Sequence, residues 1–457
     1  MNNLLFRSVI SILAIAPPAS AAQDQSTGMN ARPDFRQVVQ DGKSKVFPAV
    51  VYFKVVREDN ERGEKKAQEV SGSGVIISPD GDVLTNWHVV DKAQSVRCLL
   101  TDGRGMTARV LGTDKDTDLA LVKLDLPKDS GSLPYAGFGD SRVLKEGDFV
   151  MAMGAPWGLN RSVSIGIVSC TRRFLDRVSE YSLWLQTDAP INPGNSGGPL
   201  VNTDGQIIGI NSRGMNSGDG MGFAIPSETV QVLAAQLREH GRVNWTWFGL
   251  QLQPLRDFNK DTYFEGSDGV IVAETDPNSP ARQAGVQARD RILSVNGTST
   301  TGMTDEDLPA IRRFLGLLPK KDAASFEIMR GAEKLTLKIT PREKGVVEGK
   351  ELACKRWDLT VKEINQFDNP DLYFHRQSGV FVFATKYPGN ASNSGLQHND
   401  IILKIDGKEM ASLSDVEVAH KTALENVDKK SRIVFGVLRA GLTRQVVLDF
   451  ARDYAKE

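Results

Sequence analysis

Residues Ile191-Asn192-Pro193-Gly194-Asn195-Ser196-Gly197-Gly198-Pro199-Leu200 decide how this chain is read. They form a glycine-packed turn that runs directly into an apolar strand. Such a turn holds one hydroxyl out, and its small neighbours let a peptide carbonyl approach. The N–H groups of Gly194 and Ser196 can converge on one point as an oxyanion hole. That is the geometry acyl transfer requires. The same residues also suit a plain turn between two strands, so the rest of the sequence has to supply the chemical partners.

A serine hydroxyl is a poor nucleophile until a positioned base takes its proton, and that base is most often histidine. Between the apolar N-terminal segment and Leu237 there is one histidine, His88, in Leu84-Thr85-Asn86-Trp87-His88-Val89-Val90 just past a strand. Its imidazole needs an acceptor that fixes the tautomer and stabilises the imidazolium. Asp114, Asp116 and Asp118 compete for that role. The first two read as exposed turn residues, whereas Asp118 abuts the apolar strand Leu119 to Leu124 and can be buried against the imidazole. The chain order His88, Asp118, Ser196 is that of the chymotrypsin arrangement, in contrast to the serine-first order of α/β-hydrolases. A hydrolase would need His240, at the very end of the serine's region, or His375, His398 or His420 beyond it as base, and an alternating βα pattern that is missing.

The 457 residues suffice for roughly three domains. With 40% hydrophobic and 25% charged residues and a formal net charge of -1, nothing in the composition attracts phosphate backbones or anionic lipid, so no nucleic acid partner is expected. The N-terminus reads as a signal peptide, 1–21. Arg7 precedes the apolar run from Ser8 to Ala16, Pro17 and Pro18 end it, and Ala19-Ser20-Ala21 forms a small-x-small cleavage site before Ala22. The run is too short for a stable membrane span, and no later stretch is long enough. There is no twin-arginine pair or lipidation cysteine. Cys98, Cys170 and Cys354 are too few and scattered for a disulfide framework or a metal site, which leaves buried thiols, or one Cys98 to Cys170 bridge in an oxidising compartment.

Residues 22–34 are polar and read as a flexible segment. Short Val- and Ile-rich segments then recur between turn signals: Ala49 to Val56, Gly74 to Ser78, Val83 to Thr85, Ser95 to Leu100, Leu119 to Leu124, Phe149 to Met153 and Ile207 to Ile210. This pattern predicts an all-β barrel or sandwich over 35–241. The charged run Arg57 to Glu69 reads as a solvated loop. A helix from Ser227 to His240, with the serine at its cap, closes the region. Beyond it the sequence repeats at a constant offset of 110 residues: Gly269-Val270-Ile271-Val272, Gly285, Asp290, Ile292 and Asn296-Gly297 return as Gly379-Val380-Phe381-Val382, Gly395, Asp400, Ile402 and Asp406-Gly407. Two copies of one small module, 245–341 and 355–452, are therefore expected around a Gly/Glu/Lys-rich linker, 342–354. Each copy carries an amphipathic helix, Asp305 to Leu318 and Ser414 to Leu424.

With these residues assembled, the chain resembles the HtrA/DegP family of secreted, trypsin-fold serine proteases carrying PDZ domains. The matching segments are Gly72-Ser73-Gly74-Val75-Ile76, Thr85-Asn86-Trp87-His88-Val89-Val90, Asp118-Leu119-Ala120-Leu121-Val122, Gly154-Ala155-Pro156-Trp157-Gly158-Leu159, Gln186-Thr187-Asp188-Ala189 leading into the Ser196 turn, and Gly222-Phe223-Ala224-Ile225-Pro226. The resemblance implies a mainly β, chymotrypsin/trypsin-like double β-barrel followed by two PDZ domains. It also implies a His88, Asp118 and Ser196 triad, with Gly194 and Ser196 as oxyanion donors. The loop from Asn216 to Phe223, with Met221, Gly222 and Phe223, would wall the primary specificity pocket. No acid is evident there and Met221 is apolar, so cleavage after small or medium aliphatic residues is expected.

A PDZ domain adds a peptide's C-terminal end as a strand and seats its carboxylate on a loop of backbone amides. Trp247-Phe248-Gly249-Leu250 matches that loop in the first copy. In the second copy Trp357-Asp358-Leu359 places a carboxylate where glycine is expected, and Asp358 should repel a peptide terminus. The reading that results is an endopeptidase of exported-protein quality control and stress response. It would act in the periplasm, or be secreted, on unfolded polypeptides through an acyl-enzyme, without metal or other cofactor. An inactive shell serving as chaperone or peptide-binding scaffold is the alternative. The resemblance further implies a homo-trimer or larger homo-oligomer, to which Phe35 and Phe47 could contribute contacts.

Overall fold

The computed structural model describes residues 34–59, 66–127, 131–155, 162–214, 220–257 and 266–454. The signal-peptide reading of 1–21 and nearly all of the 22–34 segment lie outside these residues. Six strands close a first barrel: β1 (Val50–Asp59), β2 (Lys66–Ile76), β3 (Asp82–Thr85), β4 (Ala93–Leu99), β5 (Gly105–Asp114) and β6 (Leu119–Leu124), in the order β1-β2-β3-β6-β5-β4. Six more close a second: β7 (Phe149–Gly154), β8 (Ser162–Arg173), β9 (Trp184–Thr187), β10 (Pro199–Asn202), β11 (Ile207–Gly214) and β12 (Gly222–Pro226), in the order β10-β11-β12-β9-β8-β7. The fold is thus a mainly β double barrel with β-rich modules behind it. Closure removes the exposed edges that open sheets would present. Helix α1 (Phe35–Val46) precedes β1, and the single turn α2 (Trp87–Val90) follows β3 directly.

The apolar segments of the sequence become these strands because each sends alternate residues inward. In β4 only Val96 and Cys98 are buried, two residues apart. Strands β3 and β6 are covered on both faces, and Val83, Leu84, Leu119 and Leu121 are fully buried between the barrels and helix α3 (Ser227–His240). Removing a side chain such as Leu121 from this core costs about 2–5 kcal/mol. The charged run Arg57 to Glu69 is less of a loop than expected. Its two ends extend the β1/β2 hairpin, with Arg57 opposite Gln68 and Asp59 opposite Lys66. Backbone pairing continues past the barrel rim, with Arg57 and Glu58 part-buried and Lys66 exposed.

Ser227 is not the cap of α3. Pro226 takes that position, and the Ser227 hydroxyl donates to the Gly139 carbonyl at 2.7 Å, tying the helix to the second barrel. Arg238 and Lys123 both reach Asp82, at 2.7 and 2.8 Å, and hold its carboxyl below the ordinary value against the penalty of burial. No disulfide joins Cys98 to Cys170: they belong to different barrels, on β4 and β8.

The duplication in sequence is a duplication in structure. Strands Leu250–Gln253, Val270–Thr275, Arg291–Val295, Ala324–Arg330 and Glu333–Ile339 form the first module's sheet in the order of the chain, apart from the short pair Thr298–Ser299. The second repeats it with Leu359–Glu363, Val380–Thr385, Ile401–Ile405, Arg432–Arg439 and Leu442–Asp449. Register shifts recur between Ile292 and Ser294 and between Ile402 and Lys404. Even the buried ion pairs match: Arg330 grips Asp290, Arg439 grips Asp400, and both arginines also cap a glycine carbonyl, Gly285 or Gly395.

The expected linker 342–354 is structured at both ends. Arg342–Glu343 pairs with Thr246–Trp247 as a two-stranded ribbon at the foot of the first module. Glu351–Cys354 adds an extra strand beside Leu359–Glu363 at the edge of the second. Glycine and charge mark a linker in sequence, but an unpaired sheet edge can recruit such residues through backbone hydrogen bonds alone.

Candidate active site

Ser196 sits where the two barrels meet, on the turn that enters β10. Gly197 has φ +83°, and a Cβ there would overlap the Ser73 carbonyl and the Thr85 hydroxyl. The turn can therefore approach the first barrel only with glycine in that position. Ser73, a residue whose role sequence reasoning missed, bolts the barrels together. Its N–H donates to the Ser196 carbonyl at 2.8 Å, its hydroxyl donates to the Gly194 carbonyl at 2.5 Å, and it accepts from the Ala155 N–H at 2.8 Å. Within the turn, Asn195 N–H donates to the Asn192 carbonyl and Gly198 N–H to the Asn195 carbonyl, each at 2.9 Å. Among the described residues no group takes the N–H of Gly194 or of Ser196.

His88 lies on the turn α2, carried there by β3. Asp118 closes the β5–β6 turn in the left-handed region, φ +56°, and is 3% exposed. That backbone aims its carboxylate at His88. Nδ1 lies 2.9 Å from both carboxylate oxygens and the His88 N–H donates to Oδ1 at 3.2 Å. The Asp118 carbonyl accepts from Trp87 N–H and the Asn86 side chain, so histidine and aspartate segments are locked together. Ser212 donates its hydroxyl to the outer Asp118 oxygen. The neighbouring serines and glycines gave no signal for this residue in the sequence. The Ser196 hydroxyl donates to the Ser212 carbonyl at 3.0 Å, and no hydrogen bond joins it to His88. Ser196, His88 and Asp118 nevertheless line one cavity of about 1080 Å³. A χ1 rotation about the staggered wells re-aims a serine hydroxyl.

Asp114 and Asp116 are not exposed turn residues. Asp114 is buried: one oxygen accepts from the Thr117 N–H and hydroxyl, the other from the Trp245 indole at 2.8 Å. Burial, helped by the nearby Asp116 charge, pushes its carboxyl up to about 7. Asp116 and Glu180 hold Lys344 at 2.9 and 3.1 Å, and their charges outweigh its burial, so the ammonium is kept above its ordinary value. The sequence hid these contacts because both partners, Trp245 and Lys344, lie more than a hundred residues away.

A folded-state pKa near 7 against an ordinary value of 3.8 means that native Asp114 retains a proton the unfolded chain has released. Stability from this group is complete below pH 4 and is lost as pH rises through 7, falling by about 1.4 kcal/mol for each pH step of one between those limits. Asp114→Asn removes the titration, so its melting point relative to the parent should be higher at pH 8 than at pH 5. Parallel pH profiles for the two proteins would refute the assignment.

Met221, Gly222 and Phe223 do not line the cavity beside Ser196. Phe223 is 1% exposed in the barrel core, and Gly222 lies behind the Ile191 side chain, which would be 2.8 Å from a Cβ on it. The strand β12 that carries Gly222 and Phe223, with Met221 just before it, pairs with β9 and β11 on its two sides, leaving no free edge. Ile191 and the end of β11, Ser212 to Gly214, form the wall instead. Residues 156–161 and 215–219, which include Trp157 and Asn216 of the expected motifs, lie outside the described residues.

In the first module a cavity of about 970 Å³ runs between the strand Leu250–Gln253 and the helix Leu308–Gly316. Gly249 bends into it at φ +72° and Leu250 is half-buried beside it. Phe248 instead points into the core, 4% exposed against Phe326. Phe367 and Phe374 of the second module stand at the mouth, and Phe367 also lines the Ser196 cavity. The second module and the linker before it contribute to the walls of both cavities and are tied to the first barrel by Lys115 with Glu348 and Asp368 and by Lys92 with Glu351.

The corresponding groove of the second module is filled by its own chain. Glu351–Cys354 pairs antiparallel with Leu359–Glu363, Cys354 opposite Leu359, and Cys354 is fully buried in the module core. Asp358 is not poised to repel a ligand: at φ +54° it is buried, and its carboxylate accepts from the Asn390 N–H at the start of a short helix.

The chain matches the family described as Trypsin-like peptidase domain over residues 72–210, and that described as PDZ domain over 271–313. The PDZ match lies in the first module, so these findings support one PDZ domain and not the two expected. Among curated relatives, a probable periplasmic serine endoprotease DegP-like of Marinomonas sp. is 36% identical over 352 residues, 75% of this chain and 72% of the relative. One of the same description from Chlamydia trachomatis is 31% identical over 406 residues, 87% and 78% of the two chains. Similar solved structures include an HtrA-type protease AlgW with tripeptide, at TM-score 0.58 and 31% identity, covering 66% of this chain and 96% of that one. The serine endoprotease from Yersinia pestis has TM-score 0.52 and 30% identity, covering 66% and 97%.

Proposed function

Because the chain belongs to the DegP/HtrA family of serine endoproteases, we propose that it cleaves unfolded polypeptides in the periplasm with Ser196 as nucleophile, His88 as base and Asp118 as the orienting carboxylate. The observation that carries this reading is the 2.9 Å contact of His88 Nδ1 with a buried Asp118, in the same cavity as Ser196. It leaves Nε2 to receive the serine proton, so Ser196 can attack the carbonyl and His88 can then protonate the leaving amine. The Gly194 and Ser196 amides stabilise the oxyanion, and water hydrolyses the acyl-enzyme. The apolar Ile191 and the glycine Gly214 on the cavity wall suit a small or medium aliphatic side chain at the scissile residue.

Peptide C-termini bind the first module, added as a strand along Leu250–Gln253 with the carboxylate at Gly249. The second module does not bind them, since Glu351–Cys354 occupies the edge they would need. The test is digestion of unfolded casein together with a fluorophosphonate label. Turnover, label on Ser196 and cleavage after aliphatic residues are expected, whereas an unlabelled, inactive protein would favour the scaffold reading. A fluorescent C-terminal peptide should bind the intact chain once, and two sites would contradict the sealed second groove.

A further inference from the structure

Arg213 is the feature of the Ser196 cavity that the proposed chemistry leaves unused. It follows Ser212 near the end of β11 and lines the cavity with Ser196, His88 and Asp118. Its guanidinium lies 5.4 Å from the centre of the Trp184 ring and its side chain is 42% exposed. The nearest carboxylate is Asp118 at 3.8 Å, beyond hydrogen-bond distance, and that carboxylate already accepts from His88 and Ser212. Other lining lysines are committed: Lys344 lies 2.9 Å from Asp116, and Lys115 lies 3.3 Å from Glu348. Stacking on Trp184 holds the guanidinium in place without neutralising it.

The backbone around Arg213 gives the charge a direction. Arg213 and Gly214 pair with Phe223 and Gly222 on one side of β11, while the Ser212 carbonyl on the other side faces the Ser196 hydroxyl. An extended substrate laid along that open edge presents successive side chains to opposite faces. With the scissile residue directed to Ile191 and Gly214, the residue before it turns toward His88, Asp118 and Arg213. We propose that Arg213 selects substrates carrying an aspartate or glutamate immediately on the amino-terminal side of the scissile residue. This inference rests on the reading of Ser196 as the nucleophile and adds a substrate class to it. A carboxylate at that point gains a planar, weakly hydrated partner able to bind both its oxygens.

The experiment takes a peptide containing a mapped cleavage site and sets the residue before the scissile one to Asp, Ala or Lys. Values of kcat/KM are compared as ratios within each enzyme. The parent should prefer Asp over Ala about three- to fivefold, the upper scale of a partly exposed charge contact. Arg213→Ala should bring the ratio to about one, and Arg213→Glu should favour Lys. Raising salt to about 0.5 M should weaken the parent's preference without any substitution. Moving the Asp to the leaving side should confer no preference. Cleavage of all three peptides at equal rates, or an acid preference that survives in Arg213→Ala, overturns the role of Arg213 while leaving the nucleophile standing. Failure to cleave any peptide, with Ser196 unlabelled by the fluorophosphonate, overturns the underlying reading and this inference with it.

Discussion

Ser196→Ala is expected to lower turnover of unfolded casein by about 10⁴- to 10⁶-fold while the protein remains folded. The hydroxyl is the atom that would form the acyl-enzyme, and of the other described hydroxyls in the cavity, that of Ser212 is taken up by Asp118. The folded state loses one hydrogen bond, to the Ser212 carbonyl. That carbonyl lies on the cavity wall, where water can replace the hydroxyl, so the stability change should stay within about 1 kcal/mol. Unchanged melting with abolished turnover and no fluorophosphonate label is the predicted combination. An alanine variant that retained a tenth of the parent activity would remove Ser196 from the mechanism.

Asp118→Asn is expected to reduce kcat by about 10⁴-fold with KM changed less than about threefold. The argument is one of tautomers. The carboxylate accepts from Nδ1–H at 2.9 Å, which leaves Nε2 as the basic nitrogen on the far side of the ring. The His88 backbone N–H and the Ser212 hydroxyl donate to different Asp118 oxygens, so an asparagine keeps only one of these acceptors and places its NH2 in the other position, within reach of the imidazole. The ring then carries its proton on Nε2 and cannot take one from Ser196. Asparagine tolerates the left-handed backbone at this position, φ +56°, better than other substitutes, so the turn should survive. Steady-state kinetics on one peptide, with melting measured alongside, decides the point. A variant that kept kcat but raised KM would make Asp118 a substrate contact.

How far the sequence reached can be judged residue by residue. The strands were legible because alternating apolar residues between turn signals carry their own period, although that pattern left barrel and sandwich open, and the repeat was legible because identical residues return at a fixed spacing. His88 stood out by scarcity and Asp118 by its place against an apolar strand. The geometry joins these two at 2.9 Å. Misreadings had a common origin. Asp114 looked like a turn residue because its neighbours in the chain are polar, yet Trp245 and Thr117 enclose it. The resemblance implies a pocket wall at Met221 to Phe223, whereas the Phe223 ring lies in the barrel core.

By itself the sequence determined an all-β region, the repeated module and a serine, a histidine and an aspartate in chain order, because periodicity, turn chemistry and spacing are local properties written along the chain; the double barrel was implied only by the family resemblance. Only the tertiary structure decided that Ser73 bolts the Ser196 turn, that Ser212 supports Asp118, and that Glu351–Cys354 closes the second groove. It also placed Lys344 and Phe367 at the Ser196 cavity. These contacts join residues far apart in the chain. They depend on which backbone edges remain open and which charges must be paired once the barrels close, and neither condition exists until the chain has folded.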